Sequence, residues 1–362
     1  MTLVYIGQRG DSLADVPAHD PNISEVYSVR AGKFRRYHGE GVKQVLDIKT
    51  MVKNARDGGR AIRGVAESRR LLKKLKPDLI FIKGGFVGVP VGLAAAQLHI
   101  PFITHDSDAL PGLANRIIAR WAAVHAVALP KEIYKTYPAS KTVTVGVPIS
   151  GHYQKVDPAA KQHFREELGL QAFRPMLFVT GGGNGAQTLN DAIARAVPNL
   201  LMQFPNLVVV QASGREHEQA LQAYYQKTLW PEDQKHVIVK GFIEDLYRYS
   251  GAADVIVTRA GATTIAEFAV QGKACIIVPN PRLTGGHQVK NAQLLANRGA
   301  IRNLPDEDLI KPEVVEKVIS EVLGSLDAQT KLSTTIQSFA HPHAARELAE
   351  LLLQTIKSKN KS

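Results

Sequence analysis

The 362 residues carry 45 Lys+Arg against 33 Asp+Glu, a net charge of +12, with 44% hydrophobic and 22% charged side chains. This is an ordinary globular composition, with enough length for two cores. The single cysteine, Cys275, excludes an internal disulfide, and no apolar run reaches the roughly 20 residues of a membrane-spanning helix.

The chain opens on a strand over residues 3–6 that meets Arg9 and Asp11, an apolar start too short for a signal peptide, so a soluble cytoplasmic protein is expected. Strands then alternate with helical patterns. In the first half they fall near 3–6, 26–29, 79–82, 102–104, 123–128 and 142–145, and in the second near 176–179, 207–211, 236–240, 255–257, 274–278 and 300–302. Such alternation predicts an α/β protein with parallel sheets and crossover helices. Gly146-Val147-Pro148-Ile149-Ser150-Gly151 interrupts the periodicity. It divides a domain at 1–148 from one at 158–340 across a hinge at 149–157, which predicts two doubly wound domains with a ligand cleft between them.

Charge is concentrated early. Residues 30–76 hold 15 Lys+Arg and 4 Asp+Glu, so nearly all of the net charge sits there. The interleaved apolar residues, among them Val45, Leu46, Ile48, Met51, Val52, Ile62, Val65, Leu71, Leu72 and Leu75, suit a basic amphipathic helix pair lying on an anionic membrane surface. The same stripes equally suit a domain core with solvated cations. Between residues 39 and 76 no aromatic residue interrupts the basic run, which argues against stacking on single-stranded nucleic acid.

Three βα junctions in the second half carry anion-site chemistry. After the strand at 176–179, Thr180-Gly181-Gly182-Gly183-Asn184-Gly185-Ala186-Gln187 places four glycines within residues 181–185 ahead of a helix. It is neither a Walker loop nor a regular dinucleotide fingerprint. After Val255-Ile256-Val257, the chain breaks at Arg259-Ala260-Gly261 and a helix begins near Ala262. Gly261 allows close backbone approach to a ligand, and the first helical N–H groups favour an anion. Glu267 follows Thr263 by four residues and Thr264 by three, so one helix face carries all three. A carboxylate one turn beyond an anion site can accept from ribose hydroxyls, although an ordinary turn with a solvated Glu fits the same spacing. After the strand at 274–278, Gly285-Gly286 precedes His287 and Gln288 at a helix start.

The ordered set of Gly181–Asn190, Phe242-Ile243-Glu244-Asp245-Leu246, Arg259–Glu267 and His287–Asn291 resembles the nucleotide-sugar motifs of the MurG-type N-acetylglucosaminyltransferases of glycosyltransferase family 28, which make lipid II for peptidoglycan. The first half is similar too. Gly84-Gly85-Phe86-Val87-Gly88 resembles the family's second glycine loop, and His105-Asp106-Ser107-Asp108 with Asn115 resembles its acceptor-side segment. The resemblance spans roughly 3–350 and implies a GT-B fold. It also implies an inverting transfer of GlcNAc from UDP-GlcNAc to a polyprenyl-diphosphate-linked MurNAc-pentapeptide, at the inner face of the cell membrane, and a C-terminal helix (341–362) packing back on the first domain.

By motif position, the resemblance assigns the diphosphate to Gly182, Gly183, Asn184, Gly185, Ala186, Gly261, Ala262 and Thr263. It assigns the uracil to Ile243, the ribose to Glu267 and the donor sugar to His287 and Gln288. Gly84, Gly85, Phe86, Asp108 and Asn115 fall on the acceptor side, with His105 and Asp106 as candidates for acceptor binding or proton transfer. No metal or other cofactor is implied. Asp106-Ser107-Asp108 could chelate a divalent cation, and His105 could equally be a satisfied internal histidine.

Departures from the family pattern matter. Asp106 and Asp108 stand where the family has Glu and Asn, and Ser150 replaces an arginine that contacts the diphosphate, a loss that Arg259 could offset. The family's first strand and Gly-Gly-x-Gly-Gly-His loop have no counterpart before residues 3–6, so two interior strands are expected to lack a ladder partner. The alternatives are a related GT-B lipid glycosyltransferase or a UDP-GlcNAc 2-epimerase, and, from another class, a non-catalytic nucleotide-sugar or nucleic-acid binder.

Overall fold

The computed structural model describes residues 1–10, 15–32, 48–182 and 186–359. The chain divides into two compact units, 1–145 with 345–362, and 146–344.

The first unit contains β1 (Val4–Gln8), α1 (Asp15–Ala18), β2 (Glu25–Val29), α2 (Ile48–Leu75), β3 (Ile80–Ile82), α3 (Gly88–Gln97), β4 (Phe102–Asp106), α4 (Leu113–Ile118), β5 (Val124–Val127) and β6 (Thr142–Thr144). All its strand pairs are parallel, but they form two sheets, β1-β2 and β3-β4-β5-β6. Among the described residues β1 and β3 therefore have a partner on one side only. Ile6 of β1 still packs on the cluster of Leu72, Ile82, Ala94, Phe102 and Ile118 that holds α2, β3, α3, β4 and α4 together.

A single helix, α2, runs where part of a helix pair was expected, and residues 33–47 lie outside the described residues. Its buried stripe is Gly64, Ser68 and Leu72, spaced four apart, and it packs on α3. Gly64 has a specific reason: a Cβ there would collide with the Arg30 carbonyl and crowd Pro90 of α3. Arg63, Arg69, Arg70, Lys73 and Lys74 are exposed on the outer face.

The second unit contains α5 (Pro158–Glu167), β7 (Met176–Thr180), α6 (Gln187–Gln203), β8 (Val208–Ala212), α7 (Glu218–Thr228), β9 (Val237–Lys240), α8 (Leu246–Ala252), β10 (Val255–Arg259), α9 (Ala262–Gln271), β11 (Ala274–Val278), α10 (His287–Ala296), β12 (Arg302–Asn303), α11 (Pro312–Leu323) and α12 (Leu326–Gln337). Its six strands form one parallel sheet in the order β12-β11-β10-β7-β8-β9. Both faces are covered by helices, so β7, β8, β10 and β11 are buried at every position, Cys275 among them. Pairing brings β12 in only at Ile276↔Arg302, which starts that strand two residues later than its apolar pattern predicts.

Asp254, just before β10, ties the sheet to α5. It accepts from Lys161, from Arg165 Nη2 at 2.5 Å and from the Met176 amide at 2.7 Å. Burial works to raise its pKa, but the two cations and the amide outweigh it and hold the carboxyl below its usual value. Beyond these, α13 (Ala344–Lys359) places Leu348 on Ile103, Ala126 and Val145 of the first unit. Among the described residues no helix is long and apolar enough to cross a membrane.

Candidate active site

The second sheet reverses direction at its centre. From β7 the chain steps outward through β8 and β9, then returns to the other side of β7 for β10, β11 and β12. The connections leaving β7 and β10 therefore diverge to opposite faces and open a crevice at the carboxyl ends of two adjacent strands. The register Thr180↔Thr258 sets the two exits level.

Each of the three neighbouring strands β11, β10 and β7 leads into a helix with no side-chain cap. Those helices are α10, α9 and α6, with Gly286, Gly261 and Ala186 at the N-cap. Uncapped first-turn N–H groups and the positive ends of three helix dipoles make this edge suited to a polyanion. Gly182 takes φ +88°, a left-handed conformation that favours glycine, and its amide donates to Thr180 Oγ1 at 3.3 Å. Gly183, Asn184 and Gly185 lie outside the described residues. Gly261 is extended, and a Cβ there would meet only Thr264 Oγ1 at 3.7 Å, so nothing within the fold demands glycine at this position.

Several polar side chains brace this edge. Arg259 Nη1 donates to Asp306 Oδ1 at 2.5 Å and to the Val278 carbonyl, and Nη2 donates to Thr188 Oγ1 at 2.7 Å. That guanidinium locks the end of β10 to the first turn of α6. It is thus committed to internal partners, which corrects the idea that Arg259 offsets the missing diphosphate arginine. Asn291 Nδ2 donates to the Ala260 carbonyl at 3.2 Å, and the buried Gln288 accepts from the Asn280 amide at 2.9 Å. Gln288 thus fixes the β11–α10 connection through its carbonyl oxygen. His287 is half-buried at the start of α10.

Ile243 is 7% exposed and packs with Ala212, Ala260 and Phe268. Its side chain belongs to the core, so any contact with a base falls to its backbone. On α9, Ala262 is half-buried and Thr263 exposed. Glu267 is half-buried on the same helix; burial pushes its carboxyl up to about 7, and the polar influence of Tyr153 opposes that rise. Tyr153 was missed by sequence reasoning, because it sits in a segment read as a hinge.

In the first unit, Ile82↔Thr104 pairing puts the exits of β3 and β4 side by side. Gly84 and Gly85 leave β3 with φ +107° and +81°, and a Cβ on Gly84 would lie 3.7 Å from Asn115 Nδ2. Asn115 donates to the His105 carbonyl at 2.9 Å. Gly84, Gly85, His105, Asp106 and Asn115 are thereby brought together, with Phe86 and Asp108 half-buried on the same two loops.

His105 is fully buried, its ring 6.3 Å from that of Phe81, with Ser107 Oγ 3.4 Å from Nδ1. Asp106 accepts from the Gly112 amide at 2.8 Å on one oxygen and from the Tyr137 hydroxyl at 2.7 Å on the other. Burial raises its pKa, and these hydrogen bonds only partly offset the rise. Tyr137 stacks on His125 at 3.9 Å, and Tyr134 donates to the Asp108 carbonyl at 3.0 Å. Nothing in the sequence marks Tyr137 or Gly112 as partners of Asp106, because they lie 31 and 6 residues away. Among the described residues no three His, Cys, Asp or Glu side chains lie close enough to hold a metal ion.

Comparison with known proteins agrees with this architecture. The model of the glycosyltransferase family 28 C-terminal domain matches residues 176–348, and that of the N-terminal domain matches residues 26–127. A UDP-N-acetylglucosamine--N-acetylmuramyl-(pentapeptide) pyrophosphoryl-undecaprenol N-acetylglucosamine transferase 1 of Bacillus cereus is 31% identical over 314 residues, covering 85% of this chain and 82% of its own. The crystal structure of Acinetobacter baumannii MurG superposes with a TM-score of 0.71 at 24% identity, covering 98% of this chain and 91% of that one, and shows the shared GT-B fold. A UDP-GlcNAc 2-epimerase from Neisseria meningitidis, solved with UDP-GlcNAc bound, shares the fold at a TM-score of 0.59 and 12% identity, covering 98% of this chain and 99% of that one. The chain belongs to glycosyltransferase family 28.

Proposed function

We propose that this chain transfers N-acetylglucosamine from UDP-N-acetylglucosamine to an undecaprenyl-diphosphate-linked N-acetylmuramyl-pentapeptide, the reaction for which its Bacillus cereus relative is named. The observation that carries this reading is the crevice at the β7/β10 switch point, ringed by uncapped helix starts with Glu267 one turn below. The departing diphosphate is met by the amides of α6, α9 and α10, including those of Ala262 and Thr263. Charge developing on the leaving group is thus stabilised by dipoles already in place, without a metal ion. Glu267 accepts from the ribose hydroxyls, the Ile243 backbone faces the uracil, and His287 and Gln288 lie toward the sugar.

On the acceptor side, Asp106 takes the proton of the attacking hydroxyl. Burial raises its proton affinity, which brings it nearer the acceptor hydroxyl's need. His105, wholly enclosed, supports that loop. The exposed cations of α2 hold the first unit against anionic lipid at the inner face of the membrane.

The test is radiolabelled UDP-GlcNAc with synthetic lipid I, with and without EDTA. Labelled lipid is the expected product in both cases. Labelled epimerised nucleotide without acceptor would establish the epimerase reading instead. Glu267→Ala should weaken UDP-GlcNAc binding by about 1.5–3 kcal/mol, the worth of hydrogen bonds to a charged acceptor, and calorimetry showing equal affinity would remove Glu267 from the site.

A further inference from the structure

Between β5 and β6, the segment Tyr134-Lys135-Thr136-Tyr137-Pro138 carries two aromatic residues three apart, and both are buried, at 1% and 6% exposure. The Tyr137 amide donates to the Tyr134 carbonyl at 2.9 Å, closing a turn that leaves the two rings stacked at 6.4 Å. Thr142, at the start of β6, fastens the far end of the segment by donating its hydroxyl to the Pro138 carbonyl at 2.8 Å. The Tyr137 ring lies flat on the His125 ring of β5, with centroids 3.9 Å and planes 6° apart. His125 is itself held by Thr104 of β4, whose Oγ1 lies 2.8 Å from its Nδ1. From this buried seat the Tyr137 hydroxyl donates to Asp106 Oδ2 at 2.7 Å, while the Gly112 amide donates to Oδ1 at 2.8 Å.

We infer that Tyr137 is a positioning residue for the glycosyl transfer: its hydroxyl, set by the His125 stack, fixes the direction of the Asp106 carboxylate that receives the acceptor's proton. The inference rests on the assignment of that proton to Asp106. A carboxylate with one donor on each oxygen cannot turn about its Cβ–Cγ bond without losing both, and each oxygen keeps a second lone pair for an incoming proton. A phenol suits this task better than a cation would. It orients the base and leaves most of the rise in proton affinity that burial lends. Burial and the Asp106 charge lift the Tyr137 hydroxyl well above the phenolic range, so it keeps its proton and stays the donor.

Around the pair, β4 contributes His105, whose charge when protonated favours the carboxylate. Arg116 comes from α4, His125 from β5, and Asp108 and Tyr134 from the neighbouring loops. Burial and Lys141 lower His125 to about 4 and keep it neutral, and β3 brings only Ile80, Phe81 and Ile82. The Tyr137 hydrogen bond lowers the Asp106 carboxyl against the rise from burial, so its removal raises the pKa further. A general base works only when ionised. The rate therefore falls as pH drops through the Asp106 value, and Tyr137→Phe should carry that acid limb upward.

The experiment measures kcat for GlcNAc transfer to synthetic lipid I, at saturating UDP-GlcNAc, from pH 5.5 to 9. It compares wild type, Tyr137→Phe, Asp106→Asn and protein with Tyr137 replaced by 3,5-difluorotyrosine. Tyr137→Phe keeps the ring on His125 and should move the acid limb up by about one pH unit, about tenfold in rate on that limb, with the KM for UDP-GlcNAc unchanged. Fluorination makes the hydroxyl a stronger donor at nearly the same size and should move the limb down, which keeps the test decisive if the phenylalanine variant folds poorly. As a readout independent of turnover, carbon-13 NMR of aspartate-labelled protein should show Asp106 titrating higher in Tyr137→Phe and lower in the fluorinated protein. If Asp106→Asn abolishes transfer while both changes at position 137 leave the acid limb and the NMR titration in place, the role of Tyr137 is refuted and Asp106 stands as the base. If Asp106→Asn transfers like wild type, the assignment of Asp106 fails and takes this inference with it.

Discussion

β7, β8, β10 and β11 of the second unit are buried along their whole length, whereas β1, β2 and β3 of the first leave Tyr5 39%, Val26 37% and Phe81 38% exposed. Both units use parallel strands with helical crossovers. The difference is continuity: six strands in one sheet against six divided two and four. A parallel strand is enclosed only when it has neighbours on both sides and helices on both faces. In the second unit that condition holds around the switch point, so the uncapped starts of α6, α9 and α10 rest on fully enclosed strands. In the first unit it holds for β4 and β5, the strands that carry His105, Asp106 and His125, and fails at β1 and β3. His105 and Asp106 thus sit on the better-enclosed part of a looser unit.

The comparison can be broken most directly at Asp254, the buried link between α5 and the second sheet. Asp254→Ala leaves Arg165 buried without its partner and should cost about 3–5 kcal/mol, lowering the calorimetric transition of the second unit while sparing the first. Equal loss in both units would mean that they unfold as one. Because the folded pKa of Asp254 is depressed, its contribution is full above its unfolded value of about 3.9. It is lost as pH falls through the lower folded value, so the gap between wild type and variant should narrow in acid.

Hydrogen exchange sharpens the same contrast without mutation. Amides of β7, β8 and β10 should exchange about 100-fold more slowly than those of β1 and β3, a difference of about 2.8 kcal/mol. Uniform protection across both sheets would show that the divided sheet carries no penalty.

The smallest effect per residue concerns the surface. Arg63, Arg69, Arg70, Lys73 and Lys74 are exposed on α2, and each cation near anionic lipid is worth about 1 kcal/mol. Replacing Arg69, Arg70, Lys73 and Lys74 with Gln should reduce sedimentation with phosphatidylserine vesicles and leave UDP-GlcNAc affinity unchanged. A wild type that ignores such vesicles would assign the cations another purpose.

The strand pattern was legible because buried parallel strands are short contiguous apolar runs bounded by Gly, Pro and polar residues. Hence β11 falls on its expected residues and β7 and β10 extend theirs by one and two positions. The glycine-rich exits and the helix face carrying Glu267 were legible for the same local reason, since turn chemistry and the 3.6-residue period act over a few neighbours. A helix pair over 30–76 was not the outcome in the described part, where α2 runs unbroken through Gly58-Gly59 because its inner stripe is held by α3. What the sequence by itself determined was therefore the class of fold, the order of strands along the chain and the three anion-ready junctions. Only the tertiary structure decided which strands are neighbours and where the first sheet divides. It also set the tasks of three side chains: Arg259 joins β10 to α6, Tyr137 holds Asp106, and Gln288 pins a loop. These partners lie from 8 to 71 residues apart in sequence, and no local propensity encodes which donor will meet which acceptor once the sheet has closed.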